Sequence, residues 1–493
     1  MEHHASKLPG SDDLAGGHFA ALYSRGNAPV SYFIILSGFV MSFAYGERQF
    51  DAGARSSFMI KRFGRVGLSY YFSLLLVYVV DGLRVPETWT GYNMFPRPSL
   101  GSPTKALLPT LIMSQAAFSK FGPINATCWT VSTLAVLWLA YPFLQPRLRS
   151  ASSASLFGLI VGCIPICWAF ALICANTVVP GPLEEWFWPG YGAVGVGDML
   201  LSDVIHISPI AHAPAFMMGL AAGLLCRRGV GKAWRWWGAV ATLALLAVPG
   251  VASVPSSVIS LGVMGGCEPV DAVKPLPVGM IAGRCAGRVA FYEAIPAPLF
   301  TLFIFGSCTA VTRASSSAGP GGANGGGGAL AAAARRRRGC GPVIDFLASP
   351  VVAGLGSVSF QVYLFQEGVV RAFDMLCERV PRLDGTPRVM SERNGVLHLP
   401  RDSPHQAVYF VVFLLVLWTT AAAFVAYVEN PAMERLQRWQ ASLTVEGSGA
   451  LAKSTNRVAT AAGLSYWLAA VAHTSWLLWN VAYNVVYYEP GTC

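Results

Sequence analysis

The feature that most restricts this chain is the recurrence of apolar runs long enough to cross a bilayer. A membrane helix needs about 20 mostly apolar residues. Runs of that kind fall at 28–45, 64–80, 128–145, 155–178, 211–226, 235–250, 289–311, 343–365, 405–428 and 462–487. A backbone inside hydrocarbon must satisfy its own hydrogen bonds, so such runs become helices. Only 12% of the 493 residues are charged, against about 25% in soluble domains, which excludes one large water-soluble core. The reading is an all-α, polytopic transmembrane helical bundle of about ten spans, integral to a membrane and multi-pass. Two shorter apolar stretches, 106–118 with Pro109 inside it and 251–266, are expected to be re-entrant or interfacial.

The cations say which ends of those helices share a side. Lys61, Arg62 and Arg65 follow the first run, Arg147 and Arg149 the third, Arg227, Arg228, Lys232 and Arg235 the fifth. Arg313 and Arg335 to Arg338 follow the seventh, and Arg435 and Arg438 the ninth. Basic loops stay cytoplasmic, so odd runs exit to the cytoplasm and loop 181–205 faces the other side. The net charge of +10 is therefore a membrane signature, with membrane lipid as the partner and nucleic acid excluded. The Gly-, Ala- and Arg-rich stretch 314–341 cannot bury enough surface to order itself. It divides the chain into a polar segment 1–27, a membrane part 28–313, the linker, a closing membrane part 342–440 and an extension 441–493 with one further run. Its four arginines are topology anchors or contacts to anionic lipid. The oligomeric state is open.

The eleven cysteines contain no CxxC. Cys163, Cys167 and Cys174 lie in apolar runs and read as small hydrophobes, whereas Cys267 and Cys285 would pair in a non-cytoplasmic loop. His206 and His212 near Asp198 and Asp203 are too loosely spaced for a metal, and no metal site is expected.

Within the first run sits "ILSGF". Small residues let helix backbones approach, so Ser37–Gly38 marks a packed crossing, expected against the helix that begins "FMIKRFGR". There Arg62 and Arg65, three apart, share one helix face. Two guanidiniums on one face suit a phosphate or pyrophosphate; by spacing alone they are equally topology anchors.

The order of motifs resembles the acyltransferase-3 family of integral membrane acyltransferases. "VSYFIILSGFV" followed by "FMIKRFGRVGLSYY" is similar to its "LSGF" span and the basic entry to the next. "NATCWTVSTLAVLWLAYPFL" at 125–144, "SPIAHAPAFMMGLAAGLL" at 208–225, "PVIDFLASPVVAGLGSVSFQVYLFQ" at 342–366 and "FVAYVENPAMERL" at 424–436 then follow in the family's order. The resemblance implies transfer of an acyl group, usually acetyl, from acyl-CoA to a hydroxyl of a carbohydrate, lipid or small molecule, the acceptor itself being open. It implies acyl-CoA as co-substrate, with Arg62 and Arg65 on the CoA side and Ser37, Trp129 and Ser132 around it. The family's histidine belongs to a span that would precede residue 28. His3 and His4 stand nearest that place as catalytic candidates, with His18 a third, and a histidine suits a base acting on a hydroxyl. Glu429, beside Pro431, is the other catalytic candidate, because an intramembrane carboxylate is costly without a function or a partner. The plain alternative is snorkelling at a helix stop. Three positions depart from the family pattern: Leu134 for a carboxylate, Gln366 for a histidine and His212 for an arginine. Leu134, Gln366 and the lack of that preceding span favour the alternative function, a catalytically inactive member acting in transport or as a scaffold.

Overall fold

In the computed structural model, the structure describes residues 27–83, 109–118, 125, 127–175, 207–232, 234, 236–252, 294, 296–316, 342–379, 391–393, 396–398 and 406–445. Helices α1 (Asn27–Tyr45), α2 (Ala52–Leu83), α3 (Cys128–Ser150), α4 (Ser153–Ala175), α5 (Pro209–Arg227), α6 (Trp237–Ala252) and α7 (Pro296–Ser316) follow in order. After them come α8 (Pro342–Leu347), α9 (Pro350–Arg379), α10 (Gln406–Phe424) and α11 (Asn430–Val445). Among the described residues, a short antiparallel strand pair, Ser391–Arg393 with Val396–His398, is the exception to the helical rule.

The chain is an integral, multi-pass membrane protein. Gly53–Val80, Cys128–Ser150, Pro209–Arg227 and Val411–Trp439 are long and apolar enough to cross a bilayer, and four shorter apolar helices stand beside them. Nine of the expected runs coincide with described helices; 462–487 lies outside the described residues. Three boundaries differ. The run at 343–365 is broken into α8 and α9, with Pro350 opening the second helix. Residues 314–316, placed in the linker, continue α7. The ninth run does not stop at Pro431 but continues through it to Val445.

That last continuation has a local cause. A proline inside a helix removes one backbone donor and crowds the carbonyl four residues back. Here a π-turn, Val425–Glu429, precedes Pro431, and the Asn430 N–H reaches back to the Val425 carbonyl. The wider turn accommodates the proline, and Glu429 within it is fully buried. Single π-turns in long helices often mark functional positions.

Helix α5 is the hub, packed on α1, α3, α4 and α7. Its crossing with α1 is the tightest. A Cβ at Gly38 would overlap the Phe216 carbonyl, one at Gly219 the Ile35 carbonyl, and one at Gly223 the Phe39 carbonyl. Ser42 Oγ donates to the Leu220 carbonyl at 2.6 Å across the same seam. This corrects the expected partner of Ser37–Gly38: Gly38 packs on α5, and only Ser37 turns toward α2. Cys226 of α5 and Cys308 of α7 form a disulfide; Cys267 and Cys285 lie outside the described residues.

Stretch 109–118 is a single helical turn at 109–111, a non-helical turn at 112–113, and a short 3-10 segment, Gln115–Phe118, not a span. Neighbours hold its carbonyls. Tyr70 Oη donates to Thr110 O and Tyr71 Oη to Leu111 O, each at 2.6 Å, while Ser132 Oγ donates to Met113 O at 2.8 Å. Non-helical backbone at membrane depth is tolerable only when protein supplies such partners.

Candidate active site

Helices α1, α2, α3 and α9 enclose a cavity of about 260 Å³. Its cationic end comes from α2. Arg62 Nη2 donates to Ser37 Oγ at 3.1 Å, and Trp138 Nε1 donates to the same oxygen at 2.9 Å. The Arg62 guanidinium also stands 4.4 Å from the centre of the Trp138 ring, a cation–π contact that is stronger where water is excluded. One serine hydroxyl and one indole therefore hold this cation against the cavity wall. The buried Nε of Arg62 has no hydrogen-bond partner.

Arg65, one turn further on the same face, is held from behind. Its Nε donates to Glu429 Oε1 at 2.7 Å. Ser69 Oγ and Gln361 Nε2 donate to Glu429 Oε2 at 3.1 and 2.5 Å. Glu429's side chain is 1% exposed and that of Arg65 61%. The carboxylate thus accepts from three side chains on two helices and leaves the far end of the guanidinium open. Burial this complete excludes snorkelling. Gln361 lines the cavity, and its Oε1 is buried without a partner.

Beyond the cations the wall turns apolar, through Leu36, Val66, Leu134 and Phe360. Further along α3, Thr130 Oγ1 and Tyr363 Oη stand 2.5 Å apart, with Phe33 beside the tyrosine ring. The cavity is therefore amphipathic, with cations at one end and two hydroxyls past an apolar stretch.

Of the residues singled out in the sequence, Ser37, Arg62 and Arg65 line this cavity and Glu429 stands behind Arg65. Trp129 and Ser132 are not among its lining. Trp129 stacks on His212, ring centres 5.9 Å apart, and Ser132 accepts from the Ala116 N–H at 2.9 Å while holding Met113. Leu134 forms part of the wall, and Gln366 is buried on α9 with Oε1 unpartnered. His3, His4, His18, His206, Asp198 and Asp203 lie outside the described residues. Among the described residues, no group of three His, Cys, Asp or Glu is placed to hold a metal.

Sequence reasoning passed over Trp138, Gln361, Thr130 and Tyr363, which sit in apolar runs with no charge to draw notice. Glu367 was also passed over, although the rule that selected Glu429 applies equally: it is buried and paired with Arg371 at 2.8 Å.

The family model for the acyltransferase domain, acyltransferase 3, matches residues 3–428. The chain belongs to the acyltransferase-3 family. The match spans 426 of 493 residues, counting 3 through 428, so it takes in every helix that walls the cavity. Comparison with curated proteins and with solved structures returns no match. Membership supports a membrane acyltransferase.

Proposed function

We propose that this protein transfers an acyl group, acetyl in the first instance, from acyl-CoA to a hydroxyl of a carbohydrate, lipid or small molecule. The observation that carries the reading is the cationic end of the cavity, where Arg62 and Arg65 share one face of α2 and each is held by a dedicated partner. Guanidinium–phosphate contacts are charge-assisted and directional. The CoA phosphates lie at Arg62 and Arg65, on the cytoplasmic side given by the basic loops, and the thioester arm runs along the apolar wall. Glu429 acts as a positioning residue by fixing Arg65. Trp129 and Ser132 act on the site through α3, which they anchor to α5 and to stretch 109–118. His3 or His4 supplies the base. It takes the proton as the acceptor's oxygen bonds to the thioester carbon and returns it to the sulfur as the C–S bond breaks, giving the ester and the CoA thiol.

Binding of acetyl-CoA to the purified, membrane-inserted protein tests the donor reading. A charge-assisted contact contributes about 1.5–3 kcal/mol, so Arg62→Ala or Arg65→Ala weakens binding roughly tenfold or more. Arg→Lys restores it only in part, since lysine cannot bind bidentately. Arg147→Ala, exposed and remote from the cavity, is the control. Equal binding by all three alanine variants sinks the reading. A second reading has its own observation: Leu134 places an aliphatic wall where the family has a carboxylate. Acetyl-CoA binding with no transfer, unchanged in His3→Gln and His4→Gln, would make the protein an inactive member serving as transporter or scaffold.

A further inference from the structure

The two hydroxyls beyond the apolar wall carry an unused proton. Thr130 Oγ1 and Tyr363 Oη share one hydrogen bond, which occupies one of their two O–H groups. Among the described residues neither makes a second hydrogen bond. Both line the cavity, so one O–H remains to donate into it. Phe33 lies beside the Tyr363 ring, and Val131 and Leu134 line the same cavity; a donor next to apolar groups acts more strongly on a developing negative charge than it does in water.

Depth places this donor opposite the reacting end of a bound thioester. Trp138, which holds Arg62, and Thr130 are eight residues apart on α3 (138 − 130), or about 12 Å along the helix axis. A donor whose phosphates sit at Arg62 and Arg65 extends its arm along this wall, and the hydroxyl pair lies ahead of it.

We propose that the Thr130–Tyr363 pair is the hydrogen-bond donor to the thioester carbonyl oxygen, with Tyr363 O–H making the contact and Thr130 O–H polarising it. The assignment rests on the acyl-CoA reading above. The phenol is the more acidic hydroxyl, so it belongs at the end of the chain where charge develops, and a donated hydrogen bond from Thr130 strengthens it. When the acceptor oxygen bonds to the thioester carbon, the carbonyl oxygen takes up the electron pair and Tyr363 steadies it. Collapse then breaks the C–S bond, and the acceptor's proton ends on the CoA thiol. Tyr363 transfers no proton.

The test is the carbonyl stretch of carbonyl-¹³C acetyl-CoA bound to the full chain in nanodiscs, followed by isotope-edited infrared difference. Wild type shows a lower frequency than Tyr363→Phe; Thr130→Val lies between them and Thr130→Ser matches wild type. Acetyl-CoA-dependent release of CoA thiol in native membranes falls about 10²–10³-fold in Tyr363→Phe, the usual loss of one oxyanion donor, with KM for acetyl-CoA little changed. An identical carbonyl frequency in wild type and Tyr363→Phe overturns the assignment. Should Tyr363→Phe fail to insert, equal frequencies in Thr130→Val and Thr130→Ser overturn it instead. Absence of any bound carbonyl band in wild type removes the donor reading first, and the assignment with it.

Discussion

Helix α1 takes part in two crossings that differ in what lies between the helices. Against α5 there is nothing: Gly38, Gly219 and Gly223 bring backbone onto backbone, and one serine hydroxyl bonds across. Against α2 and α3 the same helix stands off, and the space holds Ser37, Arg62, Trp138 and the cavity. Ser37 and Gly38 are adjacent, so consecutive positions on one helix face the two situations. Close approach in a membrane comes from small residues that let packing and hydrogen bonds act. Polar cavities come from larger groups that hold the helices apart and satisfy one another. The dry crossing fixes where α1 sits, and that placement delivers Ser37 to Arg62.

The sharpest way to break this contrast is to put volume into the dry crossing. A Cβ at Gly219 meets the Ile35 carbonyl and the Phe39 nitrogen, which are backbone and cannot rotate aside. Gly219→Leu is expected to cost about 3 kcal/mol or more, seen as a large drop in thermal stability of the detergent-solubilised protein. Gly38→Leu follows the same course through Phe216, and any loss of acyl-CoA binding in it comes from α5 moving α1. Gly219→Leu melting with wild type would show that the crossing is looser than described.

Much of this arrangement was legible in the sequence and some was not, for physical reasons. Nine apolar runs fell on described helices because the bilayer fixes both length and polarity. The small pair in "LSGF" announced a close crossing, yet a small residue does not name its partner, and the expected partner was the next helix in sequence instead of α5. Glu429 drew notice as a carboxylate in an apolar run. Its contacts to Arg65 and Ser69, 364 and 360 residues away, depend on a π-turn with no sequence signature beyond the proline after it. Trp138, Thr130 and Tyr363 were invisible because a polar tip on an aromatic, or a threonine in a helix, is compatible with a lipid face, a packed face or a site.

On the wet side, Ser37→Ala removes the acceptor shared by Arg62 and Trp138. Trp138 is 1% exposed, so its Nε1 would be left buried without a partner, at about 1–3 kcal/mol. Ser42→Ala in the dry crossing serves as the sharpening control. Its loss is about 0.5–1.5 kcal/mol, because the Leu220 carbonyl keeps its helical bond. Thermal unfolding of the two variants in one detergent checks the order, and a larger loss for Ser42→Ala would reverse the assignment of roles. Glu429→Ala falls in the same range as Ser37→Ala, since it takes the acceptor from Ser69 and leaves Gln361 only its 3.4 Å contact to Ser69 Oγ, while Arg65 turns to solvent. Glu429→Gln keeps shape but frees Arg65, and acyl-CoA binding weakens severalfold.

The smallest effect sharpens the comparison by holding the chemistry constant. Arg149 and Glu47 form the same kind of pair as Arg65 and Glu429, but at 3.9 Å and with side chains 39% and 45% exposed. An exposed pair at that distance gains little over hydration and must order two long side chains, so its contribution is about 0–0.5 kcal/mol. The Arg149 carbonyl accepts from Arg228 Nη2 at 2.8 Å, a backbone contact that Arg149→Ala leaves in place, so the substitution isolates the side chain. A double-mutant cycle with Glu47→Ala is expected to show coupling below about 0.5 kcal/mol that fades as salt rises. The cycle of Arg65→Ala with Glu429→Ala should retain its coupling in the same salt, because one partner is shielded from ions. Coupling above about 1 kcal/mol for Arg149 and Glu47, or equal salt sensitivity in the two cycles, would mean that burial of Glu429 is not what separates the site from the surface.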